Sequence, residues 1–373
     1  MISCEELISY FKETGINFFT GVSDSCFAPL VNYLLAHEKD YKHVIATNEG
    51  EALAISTGYH ISTGNVPVVY SQNDGFLNMM NPLTSLVDSY VYEIPALLLI
   101  SWRGSPKLED AIQHKRIGEI TTNLLDLLDI PYHIYDGDNN KLRIAIKKGV
   151  LLARNENKSY ALLFFKGDIE PYPHPHKIDA EMSREEAIKL IVESVDGDAV
   201  FVSTTGKTSR ELFEYREKKD DDHKKDFLNI GAMGYANAIA LGISLNKINK
   251  RVIVLDGDGA VLMHMGNLAT IGHYKPGNLF HIILNNFSHD STGGQPTLAN
   301  SVNFCEVARA VGYTYAVEVK TKAQLIEEME HLNKINGPAL IVVYVKKGAR
   351  SNLGRPNLPL IELKRRFMDF MGE

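Results

Sequence analysis

The stretch that most constrains this chain is Leu255-Asp256-Gly257-Asp258-Gly259, with Asn285-Asn286 downstream. The run Val252-Ile253-Val254-Leu255 is β-branched and aliphatic and reads as a buried strand. Ala260 to Tyr274 is apolar at helical spacing and predicts one helix. Phe280-His281-Ile282-Ile283-Leu284 predicts the next strand, which delivers Asn285-Asn286 at its C-terminal end. Strand, glycine turn, helix, strand is a parallel α/β unit, and in such a sheet Asp258 and Asn286 share the edge where ligands bind. A carboxylate and a carboxamide offer hard oxygens that suit Mg²⁺, and the helix N-terminus beside them suits a phosphate. The plainer reading is that Gly257-Asp258-Gly259 is only a turn.

The rest of the chain keeps the same rhythm. Helical patterns at Cys4–Thr14, Phe27–His37 and Glu49–Ser62 alternate with strand patterns at Asn17–Thr20, His43–Ala46, Val66–Tyr70 and Pro95–Trp102, and Ser71 to Asn78 reads as a loop. Pro171, Pro173 and Pro175 space an extended linker, in which His174 and His176 flank Pro175 without an acid or cysteine to complete a metal site. Ser183-Arg184-Glu185-Glu186 resembles a capping box and opens a second α/β half. In that half Ala199–Ser203 predicts a strand, and Arg216 to Asp226 is a mixed charge run that reads as a solvated loop or helix end. Gly231-Ala232-Met233-Gly234 opens a small-residue helix, and the tail from Leu360 to Met371 is a basic amphipathic helix. The expected architecture is α/β, two doubly wound parallel-sheet domains at 1–168 and 183–373 joined by a linker at 169–182.

Composition narrows the function. The 373 residues suffice for two domains, and a formal charge of −7 argues against nucleic acid as a partner. Three scattered cysteines form no metal spacing and fit a reducing compartment. The N-terminus carries Glu5 and Glu6 and does not read as a signal peptide, and the apolar run Ile94–Trp102 is too short to cross a bilayer. A cytoplasmic protein with no membrane partner is expected.

Two common phosphate motifs are excluded. The third glycine of a dinucleotide fingerprint is replaced by Leu262, and Phe201 stands where the loop before Thr205-Gly206-Lys207-Thr208 would need its first glycine. What remains is similar to the thiamine diphosphate motif, a GDG followed at this distance by Asn-Asn. The same resemblance extends to Asn48-Glu49-Gly50, which leads to Thr57-Gly58-Tyr59 as the pyrimidine-binding half of such enzymes does. It implies that Glu49 is the buried acid that sets the cofactor's aminopyrimidine in its imino tautomer, a task helped by burial that raises its pKa. Glu51 in the same turn competes, and either acid could instead simply favour the helix N-terminus. Met233 would support the bent cofactor, with backbone groups of Gly231 and Met233 open to the pyrimidine, although a methionine near a helix start is usually core.

More specifically, the chain resembles the phosphonopyruvate decarboxylases. Gly21-Val22-Ser23-Asp24-Ser25, Asn81 to Leu86, Trp102-Arg103-Gly104, Gln113-His114, Ser203 to Leu212, His289 to Gln295 and Leu353-Gly354-Arg355-Pro356 carry this likeness across nearly the whole length. It implies no middle domain, and decarboxylation of 3-phosphonopyruvate to phosphonoacetaldehyde and CO₂ with thiamine diphosphate and Mg²⁺, in phosphonate biosynthesis. It also implies Mg²⁺ on Asp258, Asn286 and the Ser288 carbonyl, diphosphate beside Gly257 and Gly259, and a homo-oligomer, at least a dimer with shared sites. His114 is the candidate for proton handling, because imidazole titrates near neutrality. The phosphonate calls for cations, for which Arg103, Arg350 and Arg355 are candidates, with Asp24 and Ser25 near the same mouth. Each arginine could equally be a surface charge. The sequence departs from the family pattern at Ser23 (where Pro is expected), at Asp74-Gly75-Phe76-Leu77 and at Asn285-Asn286-Phe287 (where Asp-Asn-Gly is expected). A sulfopyruvate decarboxylase, a carboligase and a non-catalytic cofactor binder are the competing readings.

Overall fold

The computed structural model describes residues 1–173, 178–195 and 197–372. The chain divides into two compact units, Met1–His176 and Lys177–Glu373. In the first, β1 (Phe18–Gly21), β2 (Lys42–Ile45), β3 (Val68–Gln72), β4 (Leu97–Ser101), β5 (Tyr132–Ile134) and β6 (Tyr160–Phe164) lie in the order β2-β1-β3-β4-β6-β5. Every neighbouring pair is parallel. The strand sequences read as unbroken apolar runs because both faces are covered. Along β4, Leu97 and Leu99 join a core with Val68, Tyr70 and Leu162 on one face, and Leu98 and Ile100 join Val69, Ala161 and Leu163 on the other. Each fully buried Val, Leu or Ile side chain among these contributes roughly 1.5–3 kcal/mol.

The second unit repeats the plan. Its strands β7 (Val200–Ser203), β8 (Asp226–Leu228), β9 (Val252–Gly257), β10 (Leu279–Asn285), β13 (Tyr315–Val319) and β14 (Ala339–Tyr344) form a parallel sheet in the order β13-β14-β10-β9-β7-β8. A two-stranded ribbon, β11 (Ser288–His289) with β12 (Gln295–Pro296), follows β10. Val252 and Val254 face one core and Ile253 and Leu255 the other, again with the two-residue period of a strand. The capping box at Ser183 forms, with Glu186 closing it, and starts the helix Arg184–Ser194.

Each sheet has a strand-order reversal at its core, between β1 and β3 in the first and between β7 and β9 in the second. A cleft opens at such a reversal, beyond the carboxyl ends of the strands. In the first unit those ends carry Asp24-Ser25 and Asn73-Asp74-Gly75, and in the second Thr204 and Gly257-Asp258.

The structure corrects four sequence expectations. The single helix from Ala260 to Tyr274 is two, Asp258–Met263 and Gly266–Tyr274, parted at His264-Met265. The loop Ser71–Asn78 is mostly helical, as Asn73–Phe76 and then the 3₁₀ turn Leu77–Met79, because Phe76 and Met79 bury. The small-residue helix begins at Ala236, leaving Gly231–Tyr235 as a turn, since Gly234 takes a left-handed φ of 84°. The charge run is not solvated throughout. Arg216 makes two bonds of 2.9 Å to the carboxylate of Asp226, and both groups are buried. His174 and His176 lie outside the described residues. Among the described residues no helix is long and apolar enough to cross a membrane, and all three cysteines are buried and unpaired.

Candidate active site

In the first unit the helix Glu49–Thr63 begins at the acid of interest. Asn48 caps it by accepting from the Gly50 N–H at 2.8 Å. Glu49 is 5% exposed, and its Oε2 accepts from Asn78 Nδ2 at 2.7 Å. Gly75 lies against the other carboxylate oxygen so closely that a Cβ there would come within 2.2 Å of Oε1. Burial raises the Glu49 pKa, the Asn78 hydrogen bond opposes the rise, and the negative Asp74 adds to it. Glu51 is exposed and accepts from the backbone and hydroxyl of Thr47. Of the two acids in this turn, Glu49 is therefore the one in a buried, pKa-raising setting. The sequence marks Asp74-Gly75 as a departure from the family pattern, but nothing in the spacing of Asp74, Gly75 and Asn78 ties them to Glu49.

His114 ends a 3₁₀ turn, and its Nδ1 lies 2.7 Å from Asp74 Oδ2. A carboxylate only accepts, so Nδ1 carries the proton of the neutral ring and Nε2 is left as the proton-exchanging atom. Two glycines bring this segment in: a Cβ on Gly104 would meet the His114 carbonyl at 2.0 Å, and one on Gly118 would meet the Gly104 carbonyl at 1.7 Å. Arg103 forks onto Asp110 with two bonds of 2.6 Å and reaches Ser25 Oγ at 3.3 Å. Burial raises the Asp110 carboxyl, but Arg103 and the N–H groups of Ala111 and Gly104 outweigh it and hold Asp110 well below the usual carboxylate range. Asp24 is fully buried. Its Oδ1 accepts from the Cys26 and Phe27 N–H groups and its Oδ2 from Gln72. It therefore shapes the Ser25 turn and does not present a carboxylate to an anionic ligand.

In the second unit Asp258 opens the helix Asp258–Met263 and is 2% exposed. Burial pushes its pKa up to about 7, against the opposing hydrogen bonds from the Thr297 hydroxyl and the N–H groups of Asn286, Asp258 and Gly259. Asn286 is buried alongside, its Oδ1 accepting from the Ser288 N–H at 3.1 Å and its Nδ2 donating to Asp290 at 2.9 Å. The Ser288 hydroxyl is buried with no hydrogen-bond partner among the described residues. Gly259 allows His289 to close in, since a Cβ there would lie 2.8 Å from the ring. Asp258 is buried, accepts from the Thr297 hydroxyl and has no Lys or Arg partner among the described residues, a setting that fits a divalent cation.

The diphosphate side also fits. The helix Lys207–Lys218 begins at Gly206, which has φ 84° and makes no side-chain cap. Ser291 Oγ accepts from the Lys207 N–H at 3.2 Å, so a hydroxyl oxygen already stands at the helix start, where an anion is favoured. The buried Thr204 hydroxyl beside Gly257 has no partner among the described residues. Lys207 stands 4.0 Å from Asp290. The stretch from Ser203 to Lys207 builds a strand end, a glycine turn and a helix start at the sheet reversal. The Met233 turn is pinned by Asn229, which exchanges hydrogen bonds with the carbonyl and N–H of Ala232. Met233 is half-buried, Gly231 is exposed, and neither belongs to the main core.

The two C-terminal arginines sit differently from each other. Arg350 is bound to Glu185 at 3.1 Å and to Glu214, so its charge is already matched. Arg355 is exposed, has no acidic partner among the described residues, and lowers the pKa of Arg210 together with burial.

Residues 4–124 match the thiamine pyrophosphate enzyme N-terminal TPP binding domain, and residues 204–343 match the C-terminal TPP binding domain. The whole chain is 34% identical to a phosphonopyruvate decarboxylase of Streptomyces viridochromogenes, covering 95% of that protein. A sulfopyruvate decarboxylase of Methanosarcina acetivorans is 26% identical over 95% of this chain and 94% of its own. The sulfopyruvate decarboxylase subunit beta of Methanococcus maripaludis is 36% identical over 51% of this chain and 97% of its own.

Proposed function

Because this chain belongs to the thiamine pyrophosphate enzymes, in the family of the phosphonopyruvate decarboxylases, we propose that it converts 3-phosphonopyruvate to phosphonoacetaldehyde and CO₂. The observation that carries the chemistry is Glu49, a buried acid with a raised pKa held between Asn78 and Gly75. Thiamine diphosphate, when bound, supplies the electron sink for the pair released with CO₂. Glu49 holds a proton at N1′ of the pyrimidine, a role that suits a carboxyl poised toward neutrality. Met233 and Gly231 support the pyrimidine. Asp258 and Asn286, with the Ser288 carbonyl, would hold Mg²⁺, while Gly257, Gly259, Thr204 and the start of the helix Lys207–Lys218 would receive the diphosphate.

His114 exchanges a proton with the reacting carbon through Nε2, steadied by Asp74. Arg103 and Ser25 receive the phosphonate. Arg103 keeps Asp110 on Nε and Nη2 and offers Nη1, beside Ser25 Oγ, to a phosphonate oxygen. Asp24 acts on substrate only by fixing Ser25. Of the other two arginines, Arg355 is the better second cation, since Arg350 is matched by Glu185 and Glu214. The working protein is a homo-oligomer, at least a dimer with sites shared between subunits, and its location is the cytoplasm.

The experiment is CO₂ release from 3-phosphonopyruvate, 3-sulfopyruvate and pyruvate, with thiamine diphosphate and Mg²⁺ present. The highest kcat/KM is expected for phosphonopyruvate. A higher value for sulfopyruvate assigns the sulfonate instead, a condensation product from pyruvate assigns a carboligase, and cofactor binding without CO₂ release removes the enzymatic reading.

A further inference from the structure

Asp290 does more than the assigned site requires. It lies in the ribbon loop after β10, and its side chain is 7% exposed. Arg184 donates to it at 2.8 Å while forking onto Glu211 at 2.8 and 2.9 Å, which anchors it to the helix Arg184–Ser194. On another side Asp290 takes the Nδ2 of Asn286 at 2.9 Å. It also takes the N–H of Gly348 at 2.9 Å. Gly348 belongs to the connection 346–359, which has no regular secondary structure and runs between β14 and the helix Leu360–Gly372. That connection is fastened further along by Arg350 to Glu185 and Glu214, and by Arg210 to the carbonyls of Leu353 and Gly354.

We infer that Asp290 is the positioning residue of the cation half-site and the joint that couples cation binding to the connection 346–359. The inference rests on reading Asp258 and Asn286 as cation ligands. A carboxylate offers only acceptors, so the Asn286 amide must turn its NH₂ toward Asp290 and its Oδ1 away from it. The Oδ1 is the atom a cation takes. Arg184, itself forked onto Glu211, anchors Asp290 from the other side, so the carboxylate biases the amide toward this orientation. The same carboxylate holds the Gly348 N–H. A cation that immobilises Asn286 therefore immobilises Asp290 and, through it, the start of the connection. Linkage makes this reciprocal: ordering of residues 346–354 raises cation affinity by the same factor.

The test uses the full-length protein with thiamine diphosphate and reads Mg²⁺ affinity by calorimetry and backbone hydrogen exchange over residues 346–354. In the wild type, Mg²⁺ with thiamine diphosphate slows exchange at Gly348. D290A lowers Mg²⁺ affinity about 10- to 100-fold, the usual effect of removing a group that orients a ligand. It also abolishes the Mg²⁺-dependent slowing, although Arg350 and Arg210 still fasten the segment. D290N loses less affinity, because its amide oxygen still accepts from Asn286, and it carries the test if D290A does not fold. A folded variant that binds Mg²⁺ within about twofold of wild type overturns the inference, as does wild-type exchange at Gly348 that ignores the cation. A wild type that takes up thiamine diphosphate but no Mg²⁺ instead removes the ligand reading of Asp258 and Asn286, and this inference with it.

Discussion

Burial separates the two acids of the Thr47–Glu51 turn and is the reason the catalytic role is proposed for Glu49. Glu49 and Glu51 differ little in sequence terms, but only Glu49 is out of water and beside Asn78. Glu49→Gln keeps the hydrogen bond to Asn78 but has no proton to give. We expect it to retain cofactor and to lose roughly 10²–10⁴-fold in activation, read as hydrogen–deuterium exchange at C2 of the bound cofactor. Wild-type exchange would remove Glu49 from this role. The same substitution has a pH signature. Because the folded pKa of Glu49 is raised, its stabilising contribution is present below the ordinary carboxylate range and is lost as pH rises through the folded value. Cofactor-free Glu49→Gln should therefore gain stability over wild type as pH rises, with a flatter pH profile in thermal melts. A constant difference at all pH values would mean that Glu49 is ionised without cost. Phe287 shows a residue-scale departure from the family pattern. It holds φ 52° where a glycine was expected, and the ring contact with Tyr344 at 5.6 Å helps offset a strain of about 1–2 kcal/mol.

Close backbone approach sets the geometry between elements. The helix Lys115–Leu127 can lie on Gly104 only because residue 118 has no Cβ, and this contact places His114 and Arg103. Gly118→Ala would gain up to about 1 kcal/mol in helix propensity, but its Cβ would stand 1.7 Å from the Gly104 carbonyl. The clash wins. We expect a net loss of roughly 1–3 kcal/mol in urea unfolding, together with a lower kcat/KM for phosphonopyruvate, whereas a stabilised and fully active variant would contradict the packing. The Arg216–Asp226 pair is an element-scale feature of the opposite kind. An exposed pair contributes about 0–1 kcal/mol, yet this one is buried between the helix Lys207–Lys218 and β8. Arg216→Ala leaves Asp226 uncompensated and should cost about 3–5 kcal/mol in urea unfolding. A loss below about 1 kcal/mol would return the pair to the surface class.

At the scale of the whole molecule, the residues proposed for the chemistry come from both units. Glu49, His114 and Arg103 lie in Met1–His176, and Asp258, Asn286 and Met233 lie in Lys177–Glu373. On the proposed shared-site assembly, inactive Glu49→Gln and inactive Asp258→Ala should complement each other. A mixed dimer has one site with both wild-type halves, supplied by opposite chains. Subunit exchange followed by mass, with CO₂ release as the readout, checks this. Demonstrated exchange without recovered activity would mean that each chain completes its own site.

The sequence by itself determined the parallel α/β class, most strand positions and the residues at the sheet edges. Apolar runs such as Leu97–Ile100 and Val252–Leu255 follow from burial on both faces, and glycine turns from backbone freedom, so both are local signals. It also marked Glu49, Asp258 and Asn286, through motifs confined to single turns. Only tertiary structure decided which of Glu49 and Glu51 is buried, that Asp24 is consumed by its own turn, and that Arg350 is matched while Arg355 is not. The same holds for Arg216 with Asp226, and for Asp290 joining Asn286 to Gly348. Each of these depends on which distant segment supplies the partner or excludes the water. Desolvation and pairing are set by chain segments dozens of residues away, so no local pattern encodes them.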